Sequence, residues 1–289
     1  MSWCCIGHAS ERDPVGGWPH ASVLDMPNAR SIAAAQTIPR RGDVDANIEH
    51  HARLVHAAAE ARVQVVVFPE LSLTGYELDL VGELAFSERD ARLAPLNELA
   101  ASCAMTLVVG APVRIGSRLH IGAFIVSPDR SVEIYTKRKL GAFPASAAAD
   151  GVVPAAEDTV FHPGDRNPLV RFGGNSAAVV VCADTGQQSH PREAAERGAK
   201  TYLASMFVIP SDLNKETVSL QTYAARHSMA VVFANYGGPS GGLDSAGASA
   251  IWSDKGDLLA QLEGAGAGLA IAIQNDAGWG ARTIMLEGS

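Results

Sequence analysis

Two short runs of branched apolar residues limit what this chain can fold into. One is Val65-Val66-Val67-Phe68-Pro69-Glu70, and the other is Val179-Val180-Val181-Cys182-Ala183-Asp184. Both are apolar at successive positions rather than alternate ones, the pattern of a strand buried on both faces. Each run then meets a reactive side chain, a carboxylate in the first and a thiol in the second. Strand-like and helix-like segments alternate around them from Ile32 onward, which predicts an α/β fold.

The segment 31–36 reads as the first strand. Asp43 or Asp45 can cap a helix through about residue 62, with Ile48, Ala52, Val55 and Ala59 on one apolar face. Strands are predicted at 63–68, 106–109, 119–127 and 132–137, with a helix over 93–104. Residues 145–156 are alanine-rich and without period, which reads as a long loop near the functional site. Further strands are expected at 177–181, 202–204 and 231–234, and helices at 191–197 and 213–229. Gly198 can terminate the first of these helices. Runs at 248–252, 258–262 and 269–273 suggest a final meander, with Gly264 to Gly268 as a turn between strands.

No stretch rich in Pro, Ser or charge marks a linker, so residues 31–289 read as a single domain behind an irregular leader over 1–30. The formal charge of −8 argues against nucleic acid as a partner, because phosphate binding needs a basic face. No run approaches the roughly 20 apolar residues of a membrane span. The first 30 residues also lack the apolar centre of a signal peptide. Four cysteines in 289 residues are too few for a disulfide framework. The expectation is a reduced, cytoplasmic, soluble protein. Cys4, Cys5 and His8 do not complete a metal-ligand set, so no metal is expected. Cys103 is in register with Leu96, Leu99 and Ala100 and reads as core.

Cys182 is the candidate nucleophile. A free thiol is mostly protonated at neutral pH and needs a base or a positive neighbour to attack a carbonyl. Taken alone it reads as a buried structural cysteine. Glu70, at the end of an apolar run, should be desolvated and pushed toward the working pH of a general base. Taken alone it reads as a solvated strand-end acid. Tyr135-Thr136-Lys137-Arg138-Lys139-Leu140 offers an ammonium for an oxyanion. Lys137 and Lys139 share a face by strand alternation, which does not choose between them.

Taken in order, Phe68-Pro69-Glu70-Leu71-Ser72-Leu73-Thr74-Gly75-Tyr76, Tyr135-Thr136-Lys137 and Val181-Cys182 resemble the nitrilase superfamily of carbon–nitrogen hydrolases, over about residues 31–275. The resemblance implies a Glu70–Lys137–Cys182 triad, its Tyr-x-Lys pattern selecting Lys137. It also implies a four-layer α-β-β-α sandwich assembled as a homodimer or higher homo-oligomer. Glu157, in Glu157-Asp158-Thr159-Val160-Phe161-His162-Pro163-Gly164, is implied to support Lys137, and the N–H of Ala183 to share the oxyanion. Arg226, His227, Asn235 and Gly237 resemble the family's late helix–strand segment, where structural roles are usual. The implied chemistry is hydrolysis of a small-molecule amide through a Cys182 thioester, without metal or organic cofactor. Nitrile-cleaving relatives carry Trp-Glu after the cysteine, whereas Ala183-Asp184 here favours an amide. Carbamoyl amide hydrolysis, acyl transfer from the same thioester and a non-catalytic binding protein are the alternatives.

Overall fold

The computed structural model describes residues 30–286, so the leader expected over 1–30 lies outside the described residues except for Arg30. Among the described residues no helix is long and apolar enough to cross a membrane. The first half of the chain runs β1 (Arg30–Gln36), α1 (Val44–Glu60), β2 (Val65–Val67), α2 (Val81–Leu84), α3 (Ala94–Ser102), β3 (Thr106–Ile115), β4 (Arg118–Val126) and β5 (Val132–Thr136). The second half runs β6 (Leu169–Phe172), β7 (Asn175–Val181), α4 (Ser189–Glu196), β8 (Thr201–Ser205), α5 (Leu213–His227), β9 (Ala230–Ala234), β10 (Ala250–Trp252), β11 (Leu258–Gln261), β12 (Gly268–Asn275) and β13 (Gly278–Met285).

The strands form two mixed sheets. One has seven strands in the order β13-β12-β1-β2-β3-β4-β5, the other six in the order β11-β10-β9-β8-β7-β6. Each has a parallel centre, β1-β2-β3 in the first and β7-β8-β9 in the second. The apolar runs now have a cause. Ile32, Ala34, Val65 and Val67 face Val179, Val181, Leu203 and Val232 in one core between the sheets. Their sequence neighbours Ala33, Ala35 and Val66 turn the other way, onto Leu54 and Val55 of α1 and Leu96 of α3. Val180, Tyr202 and Val231 pack against Ala194 of α4 and Leu220 and Ala224 of α5. Each buried Val or Leu contributes about 1.5–3 kcal/mol of transfer free energy, and both faces of each central strand collect it.

The helix boundaries follow local chemistry. Asp43 caps α1 by accepting the Ala46 N–H at 3.1 Å. Gly198, at φ +88°, follows α4 in the left-handed conformation expected at a helix end.

The final segments depart from the expected meander. The β10–β11 hairpin closes the edge of the second sheet, but β12 crosses to the first and pairs antiparallel with β1, Ala34 opposite Ala270. At the crossing the chains come very close: a Cβ on Gly237 would lie 1.8 Å from the Gly266 carbonyl oxygen. Two strands, β6 and β13, had no clear signal. β13 is an edge strand with two glycines and mixed exposure, so its pattern is weak.

Gly110 on β3 lets the chain leaving β2 lie directly against the sheet. A Cβ there would sit 2.3 Å from the Leu71 nitrogen and 2.7 Å from the Pro69 oxygen, and both are backbone atoms that cannot give way cheaply. Gly110→Ala is expected to cost about 1–3 kcal/mol by overpacking, read as a lower denaturant midpoint at unchanged slope. An unchanged midpoint would mean that the Pro69–Leu71 backbone is free to move off β3.

Candidate active site

β2 stops where Pro69, lacking an N–H, cannot continue the ladder. The chain then turns tightly, with the Ser72 N–H on the Pro69 oxygen at 3.2 Å and the Gly75 N–H on the Leu71 oxygen at 2.9 Å. Leu71 takes φ 52°, an uncommon conformation for a branched side chain. The Tyr236 hydroxyl, from beyond β9, donates to the Glu70 carbonyl oxygen. This turn points the Glu70 side chain inward, leaving the residue 1% exposed.

β5 ends at Thr136, and Lys137 follows it, fully buried. Its Nζ donates to Glu70 Oε1 at 2.6 Å and to Glu157 Oε1 at 2.7 Å. Lys139, by contrast, is exposed. Alternation does not hold here because the strand has ended. The Asp184 carboxylate accepts the backbone N–H of Arg138 at 3.1 Å and of Lys139 at 2.6 Å, so the chain bends around it. Asp184 is itself fully buried and also accepts the Tyr135 hydroxyl at 2.7 Å.

β7 runs directly into a 3-10 turn over Cys182–Gly186. Cys182 sits at its start with φ 40°, a strained value for a residue with a side chain. It remains partly exposed, and its thiol donates to the Phe207 oxygen at 3.6 Å. Ala183 follows it, and a Cβ on Gly141 would lie 3.3 Å from the Ala183 Cβ.

Glu157 opens another 3-10 turn, and both of its oxygens are engaged. Oε1 accepts from Lys137 and from the Tyr76 hydroxyl at 2.7 Å, while Oε2 accepts the Gly141 N–H at 2.7 Å. Glu70 differs. Its Oε1 is held by Lys137, but its Oε2 is buried with no hydrogen-bond partner. The long loop expected over 145–156 lies between Phe143 and Glu157 and contains only a short 3-10 turn at Ala145–Ala147.

The electrostatics follow from two carboxylates and one ammonium in a dry site. Burial pushes Glu70 up to about 7, with Lys137 opposing and Glu157 adding to the rise. Burial alone would lower the Lys137 ammonium, but Glu70, Cys182 and Glu157 together hold it above its ordinary value. Burial and the Glu70 charge push the Cys182 thiol well up, against Lys137. Burial thus favours the neutral thiol at Cys182 and lifts the Glu70 carboxyl toward neutrality.

The structure thus gathers Glu70, Lys137, Glu157 and the adjacent pair Cys182 and Ala183 from four segments of the chain. Tyr76, Asp184, Gly141 and Tyr236 are the site residues that sequence reading assigned no role. Tyr76 ended a motif already singled out, and Asp184 stood two residues from the cysteine. Cys103 packs at the end of α3 against the outer core, and Cys4 and Cys5 lie outside the described residues. Asn235 is buried and brackets Val208, accepting its N–H at 2.9 Å and donating to its oxygen at 3.0 Å. Among the described residues no cluster of His, Cys, Asp or Glu could hold a metal ion.

Comparison with known proteins places the chain in a family. The chain is 26% identical over 255 residues to a glutamine-dependent NAD(+) synthetase of Mycobacterium leprae (strain TN), covering 80% of this chain and 36% of that one. The corresponding protein of Thermotoga maritima is 23% identical over 236 residues, covering 79% and 39%. The chain therefore spans less than two fifths of the length of these curated relatives. Among solved structures, a variant of the amidase from Nesterenkonia sp. AN1, with the acetamide moiety of fluoroacetamide added to its active-site cysteine, superposes with a TM-score of 0.76. That pair is 25% identical over 91% of this chain and 94% of the other. Another structure of that nitrilase-superfamily amidase gives a TM-score of 0.74 at 25% identity, over 86% and 91%. Residues 31–277 match the carbon-nitrogen hydrolase family. The chain belongs to the carbon-nitrogen hydrolase family, within the nitrilase superfamily.

Proposed function

We propose that the protein hydrolyses a small carboxamide through a thioester on Cys182, within the four-layer α-β-β-α sandwich that its two helix-covered sheets suggest. The observation that carries this reading is the unequal state of the two glutamates. Both Glu157 oxygens are occupied, which fits a residue that orients Lys137. Glu70 Oε2 is buried and unpartnered, which fits a proton acceptor.

The steps follow from that inequality. Glu70 Oε2 takes the Cys182 proton as sulfur bonds to the amide carbon. The carbonyl oxygen becomes an oxyanion. Lys137 Nζ has three donors and spends two on Glu70 and Glu157, so its third is free for that oxygen. The Ala183 N–H opens the turn after the nucleophile and supplies a second donor. Glu70 returns its proton to the nitrogen, the C–N bond breaks and ammonia leaves. Water then attacks the thioester with Glu70 again as base, releasing the carboxylic acid and the Cys182 thiol.

Aromatic rings stand beside the triad. Tyr76, Phe143 and Phe207 pack mutually at 5.2–5.5 Å, and Tyr236 lies 5.1 Å from Phe207. An apolar setting of this kind suits a short uncharged acyl group at Cys182. Butyramide is bound in one structure of the Nesterenkonia amidase, which supports the same substrate size here. Similarity to glutamine-dependent NAD(+) synthetases over 80% of this chain favours a second reading, in which the amide is that of glutamine.

The test is ammonia release and kcat/KM for matched amides and nitriles sharing one acyl chain, beside glutamine and an N-carbamoyl amino acid. The amides are expected to be preferred over their nitriles by at least about tenfold, since the ratio reports differential transition-state binding. A consistent nitrile preference would refute the amidase reading. Acyl transfer to an added amine without hydrolysis would replace it with a transferase.

A further inference from the structure

We propose that His51, on α1 and outside the triad, is a positioning residue for Glu70: through Ser72 it locks the turn that carries the base onto α1 and β3. The inference rests on Glu70 being the general base.

His51 is fully buried, its ring stacked on Phe68 at 4.1 Å between centroids. Its Nδ1 lies 2.6 Å from the Asn47 carbonyl oxygen, and its Nε2 lies 2.9 Å from Ser72 Oγ. A carbonyl oxygen only accepts, so Nδ1 must carry the hydrogen. In a neutral ring Nε2 is then the acceptor, and the Ser72 hydroxyl donates to it. Ser72 Oγ in turn accepts the Gly110 N–H at 3.2 Å. Every polar atom in this relay has one role, which fixes the tautomer. Burial holds His51 down at about 3, with the Asn47 carbonyl opposing and the neighbouring His50 assisting, so the ring stays neutral and keeps its acceptor.

The relay acts on a strained turn. Asn47 Nδ2 donates to the Leu73 oxygen at 3.1 Å, and the Leu73 N–H donates to the Gly110 oxygen at 2.9 Å. Residues 72 and 73 are therefore held by both α1 and β3, while Tyr236 holds the Glu70 carbonyl from the second sheet. Between these anchors lies Leu71 at φ 52°, a conformation that persists only where its surroundings impose it. Releasing the Ser72 anchor lets Leu71 relax and carries Glu70 with it. The groups facing the Glu70 carboxyl are Lys137, Glu157, Cys182 and Tyr76, and a small displacement changes its distance to each.

The experiment compares wild type, Ser72→Ala, His51→Leu and His51→Gln. For each, the rate of Cys182 alkylation by iodoacetamide is followed from acid to alkaline pH, beside kcat and KM for butyramide and the melting temperature. Wild type is expected to show an acid limb in alkylation set by Glu70. Ser72→Ala and His51→Leu should displace that limb and lower kcat about tenfold, because a misplacement well under 1 Å is costly in this geometry. KM should change by less than about twofold, since no binding contact is lost. His51→Gln should return both, its amide oxygen standing in for Nε2. A folded Ser72→Ala protein with the wild-type alkylation profile would overturn the proposal, and that small change decides the matter even if His51→Leu fails to fold. Alkylation is read whether or not amides turn over. An inactive wild type with the expected limb and shifts therefore fails the amidase reading alone. Absence of any acid limb in wild type fails the assignment of Glu70, and this inference with it.

Discussion

Cys182→Ala is expected to abolish the proposed amide hydrolysis and to leave the fold in place. The side chain loses one sulfur, whose hydrogen bond to the Phe207 oxygen is long at 3.6 Å, so stability should change by no more than about 1 kcal/mol. The rate should fall by on the order of 10^4-fold or more, because no other group forms the acyl-enzyme bond. Cys182 holds φ 40°, a conformation uncommon for a residue with a side chain, at the head of its turn. The companion measurement is labelling with iodoacetamide at neutral pH and mapping of the adducts. Cys182 should be the thiol whose modification tracks loss of activity. Activity that survives its complete modification would remove it from the mechanism.

Lys137→Met is expected to lower stability and activity together. Glu70 and Glu157 are each held by the same ammonium, and all three groups are buried. Removing the cation leaves two carboxylates facing each other in a dry site, a loss of about 3–5 kcal/mol at neutral pH. Acid should restore part of that loss. A carboxyl whose folded pKa is raised above its unfolded value binds its proton more tightly when folded, so its contribution to stability falls as pH rises between the two values. In wild type that window for Glu70 runs from 4.5 to about 7. In the variant Glu70, without the opposing ammonium, should titrate higher still. Catalysis should fall by about 10^3-fold with loss of the oxyanion donor. The wild-type rate should rise with pH through a midpoint near 7 as Glu70 loses its proton, and this limb should move upward in the variant. Denaturant unfolding at acid and alkaline pH, beside the pH profile of kcat/KM, checks both parts. Equal stability of the two proteins at pH 8 would show that the ammonium does not balance these carboxylates.

Most of the regular structure could be read from local pattern. Successive apolar residues in the central strands announce burial on two faces, α1 announces itself by period and its Asp43 cap, and α4 by the glycine that ends it. The edges could not be read so well. β13 is half exposed, and β12 joins the first sheet rather than continuing the hairpin before it. A strand's own residues state that it is buried, but not which of two similar apolar edges it will pair with.

The site divides in the same way. The segments around Glu70, Lys137 and Cys182 were recognisable because each is a short local pattern at the end of an apolar run. The choice between Lys137 and Lys139 by alternation had no answer in the sequence. It depends on the strand stopping at Thr136, where Asp184 claims the next N–H groups. Apart from the family resemblance of its segment, Glu157 has no local physical signal that separates it from a surface acid. Its burial is decided by Lys137, Tyr76 and Gly141, which arrive from other segments. His51 was hidden inside a helix whose visible pattern was Ile48, Ala52 and Val55. Period and polarity along the chain determine which residues are buried and where a reactive group can stand. Only tertiary packing decides which lone pair remains without a donor, because the donors that could fill it come from distant parts of the chain.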